Sequence, residues 1–470
     1  MLPIAIDRGS RLSMTAQIQS AIRGRIQDGT LHPGVRLPSS RDLAGDLGVS
    51  RSVVVQAYEQ LIAEGYLRAT QGSGTRVATH LPHLGRAADE PEDGGSDARP
   101  EDGACDARFD LRADATSTAF FPSREWLQAY EHVGRSIGGP GPRRHPLGVP
   151  ELRTELAAYL GRSRGVLSCA AEVAVTADFD HTIGVVFHAL RELGVDRVAL
   201  ENPGPPWQVR LAEHAGLWVT GVPVDGEGID VEALARSGAR AVLVTPVSQV
   251  PTGVVLSQAR REALLRWADE VDGWIVEYDR DGHLWFGAGS GPLALQRHRP
   301  DRVVHVGATG VLLGPVVRLG WVVAPPAVAD RLGRLRLGAP DPLTQLTFAH
   351  FVSTGVLDQH VRRVRGVLRS RRAALREAVE RHLPRARLTG APAGTHAYLR
   401  LPDGVDDVRL AALARERSVL VHPGRHFQPA RRPSAPGAVI GYGAVRSGLL
   451  PEAVGVLAAA MCQVSRLLAS

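Results

Sequence analysis

The sequence predicts an α/β protein built in two parts. A small helical unit ending in a hairpin comes first, followed by a large, mostly parallel sheet with a smaller α/β lobe at the C-terminal end. Three observations carry this. Helix-like and turn-like stretches alternate over the first 78 residues, short apolar strands alternate with helices from about residue 109, and an acidic stretch lies between. Residues 1–77 hold nine Arg against six acids, whereas residues 78–107 hold two Arg against eight. The acidic stretch has no apolar periodicity and mixes Pro, Gly, Asp and Glu, so it reads as a flexible, self-repelling linker. The expected boundaries are 1–78, 79–107 and 108–470.

Composition narrows the chemistry. The chain has 470 residues, 44% hydrophobic and 22% charged, which is ordinary for a soluble protein with a sizeable core. All 55 residues counted as Lys+Arg are arginine. Without lysine there is no Schiff base on a side-chain amine, and chemistry that needs one is excluded. Cys105, Cys169 and Cys462 are far apart and lack metal-ligand spacing, which points to a reducing, cytoplasmic setting without disulfides or a bound metal. No signal-peptide pattern opens the chain, and Pro246, Gln249 and Pro251 interrupt the uncharged run Ala241–Ala259, so no membrane partner is expected. The net charge of +6 permits a polyanionic partner.

Each element of the first part has a local signal. Ile18, Ile22 and Ile26 recur every four residues and predict a helix ending near Gly34. Ser39-Ser40-Arg41-Asp42 fits a capping box and starts a second helix that carries Leu43 and Leu47 and stops at Gly48. Ser50 is placed to cap a third helix, with Val54, Ala57, Tyr58, Leu61 and Ile62 inward and Gly65 at its close. Two β-like runs, 66–70 and 75–77, flank the turn Gln71-Gly72-Ser73-Gly74. This is the order of a winged helix-turn-helix, in which the first turn of the second helix of the pair enters the major groove. That turn offers Ser50, Arg51 and Ser52.

The stretch RLPSSRDLAGDLGVSRSVVVQAYEQLIAEGYLRATQGSGTRVA resembles the DNA-binding domain of GntR-type bacterial repressors, the MocR subfamily in particular. The resemblance implies that Arg36, Ser40, Arg41, Ser50, Arg51 and Ser52, with Gly72, Ser73, Gly74 and Thr75 of the wing, contact double-stranded operator DNA. Val53 stands where the family often has Thr.

In the second part, helices are expected at 151–160, 182–193 and 260–268. Strands are expected at 173–176, 197–201, 241–245, 274–277 and 303–306. An Arg-rich helix at about 360–382 keeps Val361, Val364, Leu368 and Leu375 for packing. The order of the motifs Gly148-Val149-Pro150-Glu151-Leu152-Arg153, Glu201-Asn202-Pro203-Gly204, Thr245 to Gly253 and Pro315 to Trp321 resembles the fold-type I aminotransferase domain that MocR regulators carry.

In that family the domain holds pyridoxal phosphate, and most of the implied positions differ here. The aldimine lysine position is Val311, with Gly310 for the serine before it and no Lys or His within five residues; His305 is six away. The acid at the pyridine nitrogen is replaced by Tyr278, and the tyrosine on the ring oxygen by Arg280. The phosphate turn reads Ala177-Asp178-Phe179-Asp180-His181, where carboxylates repel a dianion. Pro205 takes the aromatic position, with Trp207 two residues on. Arg143 replaces a tyrosine, and Val439 the carboxylate-binding arginine. Arg318 and Gln249 alone are kept. Biased codon usage exchanges Lys for Arg, but it does not account for Val311, Tyr278, Gly310 and Val439.

The resemblance therefore implies a transcription regulator, a cytoplasmic homodimer arranged head-to-tail, with no cofactor and no catalytic residue. Its aminotransferase-like part either senses an unknown small-molecule effector or only dimerises. The expected pocket comprises Arg143, Asp178, Phe179, Asp180, His181, Trp207, Gln249, Tyr278, Arg280, Val311 and Arg318. A cofactor-independent enzyme using the same pocket is the other reading left open.

Overall fold

The computed structural model of the chain describes residues 4, 6–9, 12–70, 74–78, 107–113, 118–137, 145–335, 340–428 and 435–467. It falls into two units, Met1–Pro100 and Glu101–Ser470, each treated by itself. The linker apart from Ala107, the wing residues Gly72 and Ser73, and Arg143 lie outside the described residues.

In the first unit, helix α1 spans Met14–Gln27, α2 Ser40–Leu47 and α3 Arg51–Ala63, and strands β1 (Leu67–Thr70) and β2 (Gly74–Val77) pair antiparallel. The Ser13 hydroxyl caps α1, accepting from the Ala16 amide at 3.2 Å. Ile18, Ile22 and Ile26 form its buried stripe, against Leu43, Val54, Tyr58 and Leu61. The helix stops at Gln27, short of the expected end near Gly34. The Asp28 carboxylate accepts from the Thr30 amide at 2.8 Å and Gly29 takes φ +78°, a local turn that outcompetes another helical turn.

Ser39 caps α2 by accepting from the Asp42 amide at 3.2 Å, and Gly48 ends it at φ +60°, a left-handed conformation that favours glycine. Ser50 precedes α3 as expected but makes no capping bond, because its hydroxyl shares a 2.9 Å hydrogen bond with Ser52. The amides of Gly34 and Leu37 donate to the carbonyls of Val77 and Thr75, both at 2.9 Å, so a third segment backs the hairpin.

The second unit is built on an eight-stranded sheet. In spatial order its strands are Val173–Thr176, Gly320–Val323, Val303–Ala308, Trp274–Tyr278, Ala241–Val244, Arg197–Asn202, Trp218–Asp225 and Gly228–Ile229. The five from Val303–Ala308 through Trp218–Asp225 run parallel; the outer pairings are antiparallel. Most of these strands are buried throughout, as a sheet covered by helices on both faces requires.

A second, antiparallel sheet forms the C-terminal lobe, ordered Arg387–Thr389, His396–Arg400, Gly437–Gly441 and His422–Pro423. The Arg-rich helix Val356–His382 buries Val361, Val364, Leu368 and Leu375, the residues assigned to packing. The stretch Ser447–Val464 is long and apolar enough to cross a membrane by length and composition. In the fold, the helix Leu450–Leu467 buries Leu450, Val454, Leu457 and Val464 as one stripe in the main core, and it packs on the helices Val356–His382 and Asp407–Arg415. Near the start of the unit, Phe109–Asp110 pairs in parallel with Val419–Leu420.

Buried polar groups set a pH optimum for this unit. Burial lowers the His283 pKa to about 3 and that of His396 to about 4, while burial raises the Glu201 carboxyl to about 8. Below about pH 6.5 the unfolded histidines bind protons that the folded ones refuse, so stability falls as pH falls toward 4 and 3. Glu201 acts oppositely between pH 4.5 and 8, because its folded form retains the proton. Stability therefore peaks near pH 6.5. Denaturant midpoints are expected to fall on both sides; these three groups alone take up about one net proton on unfolding between pH 6.5 and 4.5, a loss of about 2–3 kcal/mol, and His145, His350 and His360, also lowered by burial, add to it. Glu201→Gln should flatten the alkaline limb and steepen the acid limb above pH 4.5, and an unchanged alkaline limb in that variant would refute the assignment.

Candidate functional site

Two sites emerge, one in each unit. In the first, the amino ends of α2 and α3 come together: the Arg51 Nε donates to the Ser40 hydroxyl at 3.3 Å. Arg36, Arg41, Ser50, Arg51 and Ser52 are exposed, and Ser40 and Thr75 are half-buried. Arg36 faces Arg76 across an isolated antiparallel bridge, and its guanidinium lies against Gly74, where a Cβ would come within 3.1 Å. None of Arg36, Arg41 and Arg51 has an ion-pair partner among the described residues. The result is an uncompensated positive surface beside two helix amino ends, the arrangement that favours phosphate and base edges.

In the second unit, the site grows from the ends of the parallel strands. The strand Val173–Thr176 leads into Asp178, whose carboxylate caps the helix Phe179–Glu192 by accepting from the His181 amide at 2.9 Å. The same carboxylate is ion-paired with Arg318. Phe179, in the first turn, stacks on Tyr278 with ring centroids 3.6 Å apart, and Trp207 meets it edge-on at 5.3 Å. Tyr278 ends its strand buried, and burial pushes its phenol pKa far up, so it stays neutral.

Arg280 is held internally. Its guanidinium pairs with Asp281 at 3.1 Å, lies 3.4 Å from His396 Nδ1, and donates to the Ala113 carbonyl at 3.2 Å and the Thr395 hydroxyl at 3.4 Å. A cavity of about 320 Å³ opens between these groups, lined by Phe179, Asp180, Trp207, Tyr278 and Arg280. Phe179 and Asp180 also line a second cavity of about 350 Å³, beside Gly310 and Arg318.

Three expected pocket residues lie elsewhere. Gln249 is spent inside its own turn: its amide donates to the Pro203 and Val250 carbonyls at 2.7 and 2.8 Å, and its oxygen accepts from the Thr252 amide at 3.0 Å. Val311 packs against the main hydrophobic core. The His181 ring turns back to accept from the Ala177 amide at 3.3 Å. Val439 is fully buried in the small sheet beside Ala113 and Phe427. Sequence reasoning missed the far wall, where His422 stacks on His426 with centroids 5.0 Å apart and Phe427 meets both edge-on. Two histidines four residues apart after a strand, followed by an aromatic, are the signal that could have found it.

On either side of Tyr278 in the chain, Glu277 and Asp279 belong to a buried charge network. Arg164 donates to Asp279 at 2.5 Å, with both side chains at most 3% exposed. His305 sits between Asp279 and Glu277, 3.8 and 3.3 Å away, and Glu277 accepts from the amides of Leu295 and Gln296 at 2.7 and 3.2 Å. Burial alone would raise the Asp279 carboxyl, but Arg164 together with His305 and His283 outweighs it and holds the pKa well below the usual range. Gly282 passes so close to Asp279 and Arg164 that a Cβ would collide with both.

Comparison with known proteins matches both units. Residues 14–77 match the family of bacterial regulatory proteins of the gntR type, and residues 122–435 match aminotransferase class I and II. The HTH-type pyridoxine biosynthesis transcriptional regulator PdxR of Corynebacterium glutamicum is 31% identical over 416 residues, covering 88% of each chain. The probable rhizopine catabolism regulatory protein MocR of Rhizobium meliloti is 29% identical over 473 residues, covering 97% of this chain and 95% of the other. An archaeal alanine:glyoxylate aminotransferase superposes with a TM-score of 0.69 at 23% identity, covering 76% of this chain and 91% of its own, a likeness of fold.

Proposed function

The chain belongs to the MocR/PdxR type of GntR regulators, DNA-binding transcriptional regulators with an aminotransferase class I and II domain, and on that premise we propose that it regulates without pyridoxal phosphate. In this reading the first unit grips operator DNA through the residues gathered at the amino ends of α2 and α3, with Arg51 reading a base. Arg36, Arg41 and Ser40 hold phosphates, and Gly74 and Thr75 bring the wing close. The second unit pairs two copies head-to-tail in the cytoplasm and takes up an effector non-covalently.

The carrying observation is that a chain without lysine stacks Phe179 on Tyr278 at 3.6 Å, joining the positions where the resemblance puts the phosphate turn and the acid at the ring nitrogen. Pyridoxal phosphate does not fit these residues. It requires an amine, an acid at the ring nitrogen and a cradle for a dianion. Val311, Tyr278 and the Asp178–Asp180 turn provide a methyl surface, a neutral phenol and two carboxylates instead. A cofactor-independent enzyme is the poorer reading, since Asp178 and Arg280 are already engaged in ion pairs.

Mixing the full chain with pyridoxal phosphate, dialysing and scanning the absorbance tests the proposal. No pyridoxal phosphate band, whether of the free aldehyde or of an aldimine, is expected to stay with the protein at protein-equivalent amounts. A stable stoichiometric band would overturn the cofactor-free reading.

A further inference from the structure

Of the two carboxylates at the turn leading into the helix Phe179–Glu192, only Asp178 is satisfied, by Arg318 and the His181 amide. Asp180 has no hydrogen bond or ion pair among the described residues and borders both cavities. Asp180 is exposed at the cavity rim, where partial burial and then the neighbouring Asp178 push its carboxyl above the ordinary range against the opposing charges of Arg318 and Arg210, and a bound cation would act in the same sense as these arginines. Around it the walls are aromatic: Phe179, Trp207 and Tyr278 on one side, His422, His426 and Phe427 on the other. Arg280, the one guanidinium among the described lining residues, is engaged by Asp281 and the Ala113 carbonyl, which leaves it poorly placed to receive a ligand carboxylate.

We propose that the 320 Å³ cavity binds a small organic cation non-covalently, an ammonium group lying against the aromatic faces with Asp180 as its counter-ion. This rests on the cofactor-free reading above and names the class of effector for that site. The aromatic rings account for selection of a diffuse, alkylated charge over a hydrated metal ion, because cation–π attraction rewards a poorly solvated cation. A substituted ammonium also needs no lysine partner.

Calorimetric titration of the full-length protein with tetramethylammonium, choline and benzyltrimethylammonium chlorides tests the proposal, with 3,3-dimethyl-1-butanol as the neutral isostere of choline. At least one cation should bind, choline at least ten times more tightly than the alcohol. Asp180→Asn should weaken cation binding about tenfold or more with an unchanged melting temperature, and Asp180→Glu should restore part of it. Trp207→Leu should weaken the cations more than the alcohol. Binding of none of the three cations, equal binding of choline and the alcohol, or an indifferent Asp180→Asn overturns the proposal. If no cation binds and no pyridoxal phosphate band stays with the protein, the ligand class falls while the cofactor-free regulator stands. A retained band sinks both.

Discussion

Asp279→Ala is expected to destabilise the unit Glu101–Ser470 by about 3–5 kcal/mol, the range for removing one partner of a buried ion pair. The reason is the residue left behind. The Arg164 guanidinium, 3% exposed, would keep its charge without its bonded carboxylate. The double replacement of Arg164 by Met and Asp279 by Leu removes both charges, and such exchanges are often neutral or better. It should recover most of the loss. Urea denaturation of the wild type, both single variants and the double variant closes the cycle, and single variants within about 1 kcal/mol of wild type would contradict the role given to the pair. The direction with pH follows: a carboxyl held below its ordinary range stabilises above the unfolded pKa and loses that contribution as pH falls through the acid range.

Arg51→Ala is the second large effect, and it leaves the fold alone. Arg51 is exposed and among the described residues its side chain bonds only to the Ser40 hydroxyl, so the melting temperature should not move. On the proposed reading, in which Arg51 contacts guanine bidentately, operator affinity should fall by about 1–3 kcal/mol, or about fivefold to more than a hundredfold. Discrimination should relax at a single base position per half-site, whereas Arg41→Ala should weaken all sequences alike. Fluorescence anisotropy with operator duplexes substituted one base at a time separates the two. An unchanged base preference in Arg51→Ala would move the reading residue elsewhere on α3.

Local signals were legible wherever a residue's role is set by its immediate neighbours. The isoleucine stripe of α1, the Ser39 cap and the Gly48 stop all lie where the pattern puts them. The end of α1 was not, because an Asp28–Thr30 turn competes on nearly equal terms with one more helical turn. The strand Trp218–Asp225 escaped notice since it is mostly exposed and carries Gly221 and Pro223, so it lacks the buried run of its neighbours.

For the pocket, the sequence could say which residue types had changed but not how they would be spent. Asp178 and Arg318 are 140 positions apart, and their pairing depends on the sheet bringing two strand ends together. Gln249 reads as a ligand in one dimension and is a turn brace in three.

The parallel pairing of Phe109–Asp110 with Val419–Leu420 has a mechanical meaning. It sews Phe109 and Asp110 to the C-terminal lobe rather than to the eight-stranded sheet. The Leu111 amide continues the seam to the Leu420 carbonyl at 2.8 Å, and two residues later Ala113 lines the cavity and receives Arg280. Cavity and lobe thus share one short strip of backbone, a fulcrum: any tilt of the lobe about the large sheet carries residues 109–111 with it and moves the cavity wall at Ala113.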